Sequence, residues 1–231
     1  MSYVNSGETI GPTAKAIEVE IPPGAAEGQI GLVALWCGAN AISDTFTGPG
    51  FTELVPNQGI GAHGVLTVFG KQLTGADVAA GSWEFDWETA AASEALVCLN
   101  SGRDSSSNPY SIAVGDTSSG TTQPPPLSGT DLAGDDLVYF VVEYTGESGL
   151  TVPAFTNRID DTEFGMHLWT ADDVPAGLVT VQSSAATPPT ATQWWPALIG
   201  IKKLAVGPIG GMSFVDDDAS GWARKRAIMG L

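Results

Sequence analysis

The chain has 231 residues, 43% hydrophobic and only 15% charged, which excludes disorder as its default state, and its 29 glycines and 15 prolines favour turns and short strands over helices. Residues 1–201 carry four basic residues (Lys15, Lys71, Arg103, Arg158) against 23 acidic ones, whereas residues 202–231 carry five basic residues against Asp216, Asp217 and Asp218. So acidic a body repels phosphate backbones and anionic membrane surfaces, which argues against nucleic-acid and membrane partners.

The N-terminus reads MSYVNSGETIG, with neither a basic nor an apolar leader region, so no secretory signal is expected. No apolar run approaches the length of a membrane span. Lys15–Ile21 alternates, with Ile17, Val19 and Ile21 against Glu18 and Glu20, and reads as a strand that stops at Pro22-Pro23-Gly24. Gln29–Cys37 is a longer apolar run of the kind a strand covered on both faces shows. Val65–Lys71 and Ser82–Glu88 are further strands, and Leu96–Leu99 closes the first half. Asn100–Gly129, rich in Ser, Gly, Thr and Pro, reads as a long loop or crossover. Leu137–Tyr144 opens a second set of strands. Before residue 205 no long segment sustains a helical period. Residues 205–212 form a Gly/Pro linker, and the end of the chain holds a short amphipathic segment around Trp222 that is marginal as an isolated helix.

The two halves repeat a succession of signals. Ala26-Glu27-Gly28-Gln29-Ile30 and Ala133-Gly134-Asp135-Asp136-Leu137 each lead into an apolar strand. Pro49-Gly50-Phe51-Thr52 is echoed by Pro153-Ala154-Phe155-Thr156, and Asp77-Val78-Ala79-Ala80-Gly81 by Asp173-Val174-Pro175-Ala176-Gly177. Neither half covers its own apolar face, so the expectation is one all-β, jelly-roll-like sandwich of about ten to twelve strands, built from face-to-face halves with a pseudo-two-fold repeat. The halves span about 15–100 and 124–204 of a domain 1–204, and residues 205–231 form a linker and docking tail. Leu32, Ala34, Trp36, Leu66, Val68, Trp83, Phe85, Val97, Leu137, Tyr139, Val141, Leu168, Leu198 and Ile199 are expected in the core.

The run from Pro22-Pro23-Gly24 through Pro49-Gly50-Phe51-Thr52, Gly64–Trp87 and Gly134-Asp135-Asp136 to Trp194–Lys203 resembles a module common in tailed-phage minor tail and virion surface proteins. The resemblance covers roughly residues 17–204, with Gln29 where an Asp is usual after Gly28, and Phe51 and Phe155 where Trp is common. It implies a β-sandwich with a structural or adhesive role on a virion (minor tail or capsid decoration). The implied partners are other virion proteins, copies of itself and, as an alternative, a host glycan. It brings no catalytic residues.

Several groups are candidates for chemistry. Glu84-x-Asp86-x-Glu88 has the spacing of retaining glycosidases built on β-sandwiches, one carboxylate as nucleophile and one as acid. An ordinary amphipathic strand, with Trp83, Phe85 and Trp87 inside and the acids outside, gives the same pattern and is preferred. His63 and His167 are the only histidines, the first expected to be solvated and the second structural or on the surface. Asp135-Asp136, Asp160-Asp161, Asp172-Asp173 and Asp216–Asp218 are expected to be solvated rather than to bind calcium. Trp194-Trp195 is a candidate sugar-stacking platform, but the preferred expectation is one Trp in the core and one at the rim. Cys37 and Cys98 read as buried thiols. The reading assigns no catalytic, cofactor or metal residues. Its partner-binding residues are Trp222, Arg224, Lys225, Arg226, Ile228 and Met229, because aromatic and Arg side chains together are typical interface anchors.

Overall fold

The computed structural model describes residues 3–60, 63–101, 108–121, 123–129, 134–144, 150–160, 165–174, 180–181, 184–185 and 192–202. Among them the elements run β1 (Tyr3–Glu20), β2 (Ile30–Cys37), a 3-10 turn at Ala39–Ala41, β3 (Thr52–Ile60), β4 (Gly64–Gln72), α1 (Gly75–Ala80), β5 (Ser82–Asn100), β6 (Tyr110–Gly115) and β7 (Ser118–Thr121). They continue with β8 (Leu127–Ser128), β9 (Asp136–Tyr144), β10 (Leu150–Thr151), β11 (Thr156–Asp160), β12 (Met166–Ala171), β13 (Thr180–Val181), β14 (Ser184–Ala185) and β15 (Thr192–Ile201).

The protein is an all-β sandwich of antiparallel sheets. Sheet one has the order β1-β5-β2-β4-β3, and sheet two the order β6-β15-β9-β12-β11, with β7 also pairing β15. Two small ladders, β8 with β13 and β10 with β14, lie apart from the main sheets.

Period-two alternation explains the layering. Ile30, Leu32 and Ala34 of β2, with Leu66 and Val68 of β4, meet Val138, Phe140, Leu168 and Trp195 of sheet two in a central core. The alternate residues Val33, Leu35 and Cys37 point the other way and lie under Trp83, Phe85 and Trp87. In sheet two, Leu137, Tyr139 and Val141 likewise turn outward, under Leu127, Leu150, Val152 and Val181. Each central strand therefore has apolar cover on both faces, which is why β2 and β9 read as unbroken apolar runs.

The cover on sheet one is made by its own edge ribbon. β1 and β5 pair from Tyr3↔Asn100 to Glu20↔Ser82, with register breaks between Gly11 and Ala16. At those breaks the ribbon doubles back on itself, so that the Asn5 side-chain Nδ2 donates to the Pro23 carbonyl at 2.9 Å. The fold needs a small residue at its inner bend: a Cβ on Gly11 would come within 2.4 Å of Ser93 Oγ and 3.0 Å of Ile17 Cδ1. The aromatics that the doubled ribbon lays down are almost fully buried. Each contributes on the order of 3 kcal/mol by leaving water.

Helix α1 fastens the same layer. Thr74 caps it by accepting from the Asp77 amide at 3.3 Å, while Asp77 Oδ2 accepts from the Thr74 amide at 2.8 Å. Lys71 Nζ joins Asp77 at 2.5 Å and donates to the Pro49 carbonyl at 2.7 Å, linking β4, the turn before β3 and α1. Partial burial alone would raise the Asp77 carboxyl, but the bonds from Lys71 and Thr74 outweigh it and hold the group below its ordinary range.

Several expectations need correction. The first strand begins at Tyr3 rather than Lys15, because an edge strand exposed along one side needs no clean alternation. Asn100–Gly129 is not simply a loop: it contains β7, β8 and β6, the last an edge strand of sheet two. Sheet two thus begins at Tyr110, ahead of residue 124. Trp36 is only half-buried, since it stands where β2 runs out of the sandwich. The other residues expected in the core are buried. The segment 205–231 lies outside the described residues.

Candidate functional site

The acidic strand follows the amphipathic pattern. Trp83, Phe85 and Trp87 are buried, and Glu84, Asp86 and Glu88 are exposed on the opposite face of β5. The register sets Glu18 directly opposite Glu84, so the outer face of the ribbon is an acid strip. The neighbouring cleft of about 420 Å³ is lined by Thr9, Glu18, Glu20, Ile21, Ala80, Gly81 and Ser82, and takes in neither Glu84 nor Glu88. Inside it, Ser82 Oγ donates to the Glu18 carboxylate at 2.6 Å. The aromatic rings that a sugar would need to stack on face the core instead.

The two histidines occupy different layers. His167 of β12 is 1% exposed, with its ring 5.5 Å from that of Trp169. Its Nε2 lies 3.8 Å from the buried Glu143 carboxylate on β9. His63 is half-buried rather than solvated, because its ring packs 4.7 Å from that of Tyr144. Tyr144 follows Glu143 on β9 and so leaves the opposite face of the strand.

Trp194 and Trp195 are both fully buried, which corrects the expectation of a rim residue. Successive side chains take opposite faces, and both faces of β15 are covered: Trp194 enters the outer layer and Trp195 the central core. Neither ring is presented to a sugar. Cys37 and Cys98 are free buried thiols, Cys37 in the outer layer and Cys98 in the central core, so a β-sheet lies between them. Burial pushes the Cys98 thiol up to about 12 and raises that of Cys37 as well.

The acidic pairs have structural uses. Asp136 is buried rather than solvated, and accepts from the Asp173 amide at 3.0 Å. Asp172 accepts from the Tyr3 amide at 3.3 Å, beside Arg158, whose guanidinium carbon stands 3.7 Å over the Tyr3 ring. Those contacts join the free end of β1 to sheet two. Among the described residues, three or more metal-ligating side chains do not gather in any one place. Asp161, Asp216–Asp218 and the tail residues Trp222, Arg224, Lys225, Arg226, Ile228 and Met229 lie outside the described residues.

A different surface emerges at one end of the sandwich. Ile10 at 47% and Tyr144 at 46% are the exposed large hydrophobics among the described residues. Ile10 pairs Glu94, and Glu94 pairs Trp36 on its other side, so the three stand side by side on adjacent strands of sheet one. Gly64 approaches Trp36 so closely that a Cβ there would come within 2.7 Å of the indole Nε1. His63, next to Gly64, completes the row by packing on Tyr144 of sheet two. The row Ile10–Trp36–His63–Tyr144 thus crosses from one sheet to the other. A row with Ile10 and Tyr144 exposed at its ends and Trp36 and His63 half-buried between them is suited to contact with another chain segment. The sequence hides it, because Ile10 sits in a stretch of Ser, Gly and Thr and the three aromatic rings are far apart along the chain.

No family model, curated protein or solved structure matches the chain.

Proposed function

We propose that the protein is a non-enzymatic structural component of a tailed-phage virion surface, a minor tail or capsid decoration protein, whose two sheets descend from one duplicated unit. The observation that carries this reading is where the virion-module motifs fall. The stretches around Gly28 and Gly134 make similar turns, with φ of 86° and 81°, ahead of β2 and β9. The Gly50 and Ala154 stretches make another such pair, with φ of 71° and 67°. The motifs thus serve as the corners of a building block rather than as the walls of a reaction site. In this reading the C-terminal residues 222–229 dock the block onto its assembly, aided by their basic charge against an acidic body.

Glycan binding is the competing reading, and the burial of Trp194 and Trp195 takes away the aromatic platform it relied on. Quantitative mass spectrometry of purified particles tests the proposal. Many copies per particle mean decoration and a few mean tail; a protein missing from washed particles is not a virion component. Glycan-array binding, or β-glucan hydrolysis lost in Glu84→Gln and Glu88→Gln, would favour the alternatives.

A further inference from the structure

We propose that the row Ile10–Trp36–His63–Tyr144 is the acceptor for residues 222–229 of a neighbouring copy, so that the protein assembles head to tail. The inference deepens the docking role given above to the C-terminal segment and rests on it, but it does not depend on the virion.

Three observations converge. First, the row is apolar and aromatic at a place where both sheets end, with exposed Glu8 two residues from Ile10 on the same strand face. Second, the chemistry of the segment is complementary. Trp222, Ile228 and Met229 are apolar partners for the row, and Arg224, Lys225 and Arg226 form the basic cluster of a chain whose first 201 residues balance to −19. Third, the chain leaves the sandwich at the far end. On β15 and β9, Ile201 pairs Asp136, whereas Tyr144 stands at the other end of the ladder, opposite Gln193. From Lys202 the nineteen residues 203–221 reach at most about 65 Å when extended. A β9-length strand spans only about 30 Å. In copies stacked end to end, the row of one adjoins the exit of the next, which sets it nearer to that segment than the segment's own row is. Such a contact joins two different surfaces, and repeats from copy to copy until a ring closes or a filament grows.

The test uses the full chain carrying paired cysteines, Tyr144→Cys with Ile228→Cys. Cys37 and Cys98 are fully buried, so the introduced thiols are the ones that react under mild oxidation. Docking raises their local concentration, and disulfide-linked dimers and larger species should exceed those of a Glu84→Cys/Ile228→Cys control by roughly tenfold. Ile10→Cys with Ile228→Cys should behave like the Tyr144 pair, which guards against a single disturbed site. Adding Arg224→Glu and Arg226→Glu should cut the yield. Equal cross-linking in the acid-strip control, or cross-links confined within single chains, would overturn the proposal. Strong inter-copy cross-linking by a protein missing from particles would keep this inference and remove only the virion reading.

Discussion

Sheet one and sheet two can be laid side by side, β1-β5-β2-β4-β3 against β6-β15-β9-β12-β11, but close their outer faces by different means. The corners agree in detail. The Gly28 amide donates to the Leu73 carbonyl at 2.9 Å and the Gly134 amide to that of Val174 at 2.8 Å. The return bonds, Leu73 to Gln29 and Val174 to Asp135, are both 2.8 Å. The turn before β3 and the one before β11 close with bonds of 3.2 Å, from Phe51 to Gly48 and from Phe155 to Val152. The covers differ more, although Phe155 packs 6.2 Å from Tyr139 as Phe51 packs on Phe85. Sheet one lies under its own doubled ribbon, with Phe51 packing 5.1 Å from Trp83 and 5.0 Å from Phe85. Sheet two lies under aliphatic residues of short ladders and turns, and holds the Glu143–His167 pair in its outer layer. The lesson is that like corners around one central core stand beside unlike outer layers.

The comparison breaks first at the covers. Phe85→Ala should cost about 4 kcal/mol, whereas Leu150→Ala, its counterpart in the cover of sheet two, should cost about 2 kcal/mol. Urea midpoints at constant slope measure both, and equal losses would make the covers equivalent. Next comes the polar pair that only sheet two possesses. Glu143→Ala should cost about 1–3 kcal/mol, because it empties a fully buried site beside His167. The double variant with His167→Ala should lose less than the sum of the single ones.

The corners should respond alike. At Gly28 and Gly134 a Cβ would meet nothing within 4 Å, so the cost of alanine is the left-handed backbone alone. Each substitution should cost roughly 1–2 kcal/mol. A large inequality between them would deny that the two corners do the same job. Asp77→Asn should cost about 1 kcal/mol near neutral pH, by weakening the cap of α1. Since the folded carboxyl titrates below its ordinary value of 3.8, its stabilisation is full above that value and is lost as pH falls through the folded one. Wild type and variant should therefore converge in acid. The smallest effect belongs to Ala154, an alanine at φ 67° where the first half has Gly50. Ala154→Gly relieves the left-handed strain but loosens the unfolded chain, for a net gain of about 0.5 kcal/mol in a melting experiment.

How much was legible follows from burial. β2, β9 and the Ser82–Glu88 part of β5 showed plainly in the sequence, because a strand buried on both faces is an unbroken apolar run and one buried on a single face alternates. The first part of β1 and all of β6 did not. Both are edge strands, and Tyr3–Ala14 mixes Ser, Gly, Thr and Pro because the doubled ribbon wants small residues at its bend. The two tryptophans at 194 and 195 misled for a related reason: alternation places one on each face but cannot say that both faces are covered. The row at the end of the sandwich was hidden more deeply. Ile10, Trp36, His63 and Tyr144 come from four separate stretches, and only strand order and the contact between sheets bring them together.

β5 has a consequence for how the molecule breathes. Its 19 residues belong at one end to the cover and at the other to the middle of sheet one, beside β2. The cover is joined to that ladder through the bend at the register breaks between Gly11 and Ala16. Lifting Trp83 and Phe85 away pulls on the stretch from Ser93 to Asn100, which is laced to β2 along its whole length. Loosening of the outer layer is therefore passed along β5 to the central ladder, and hydrogen exchange at Ser82–Glu88 measured beside that at Ser93–Asn100 reads how tightly the two are coupled.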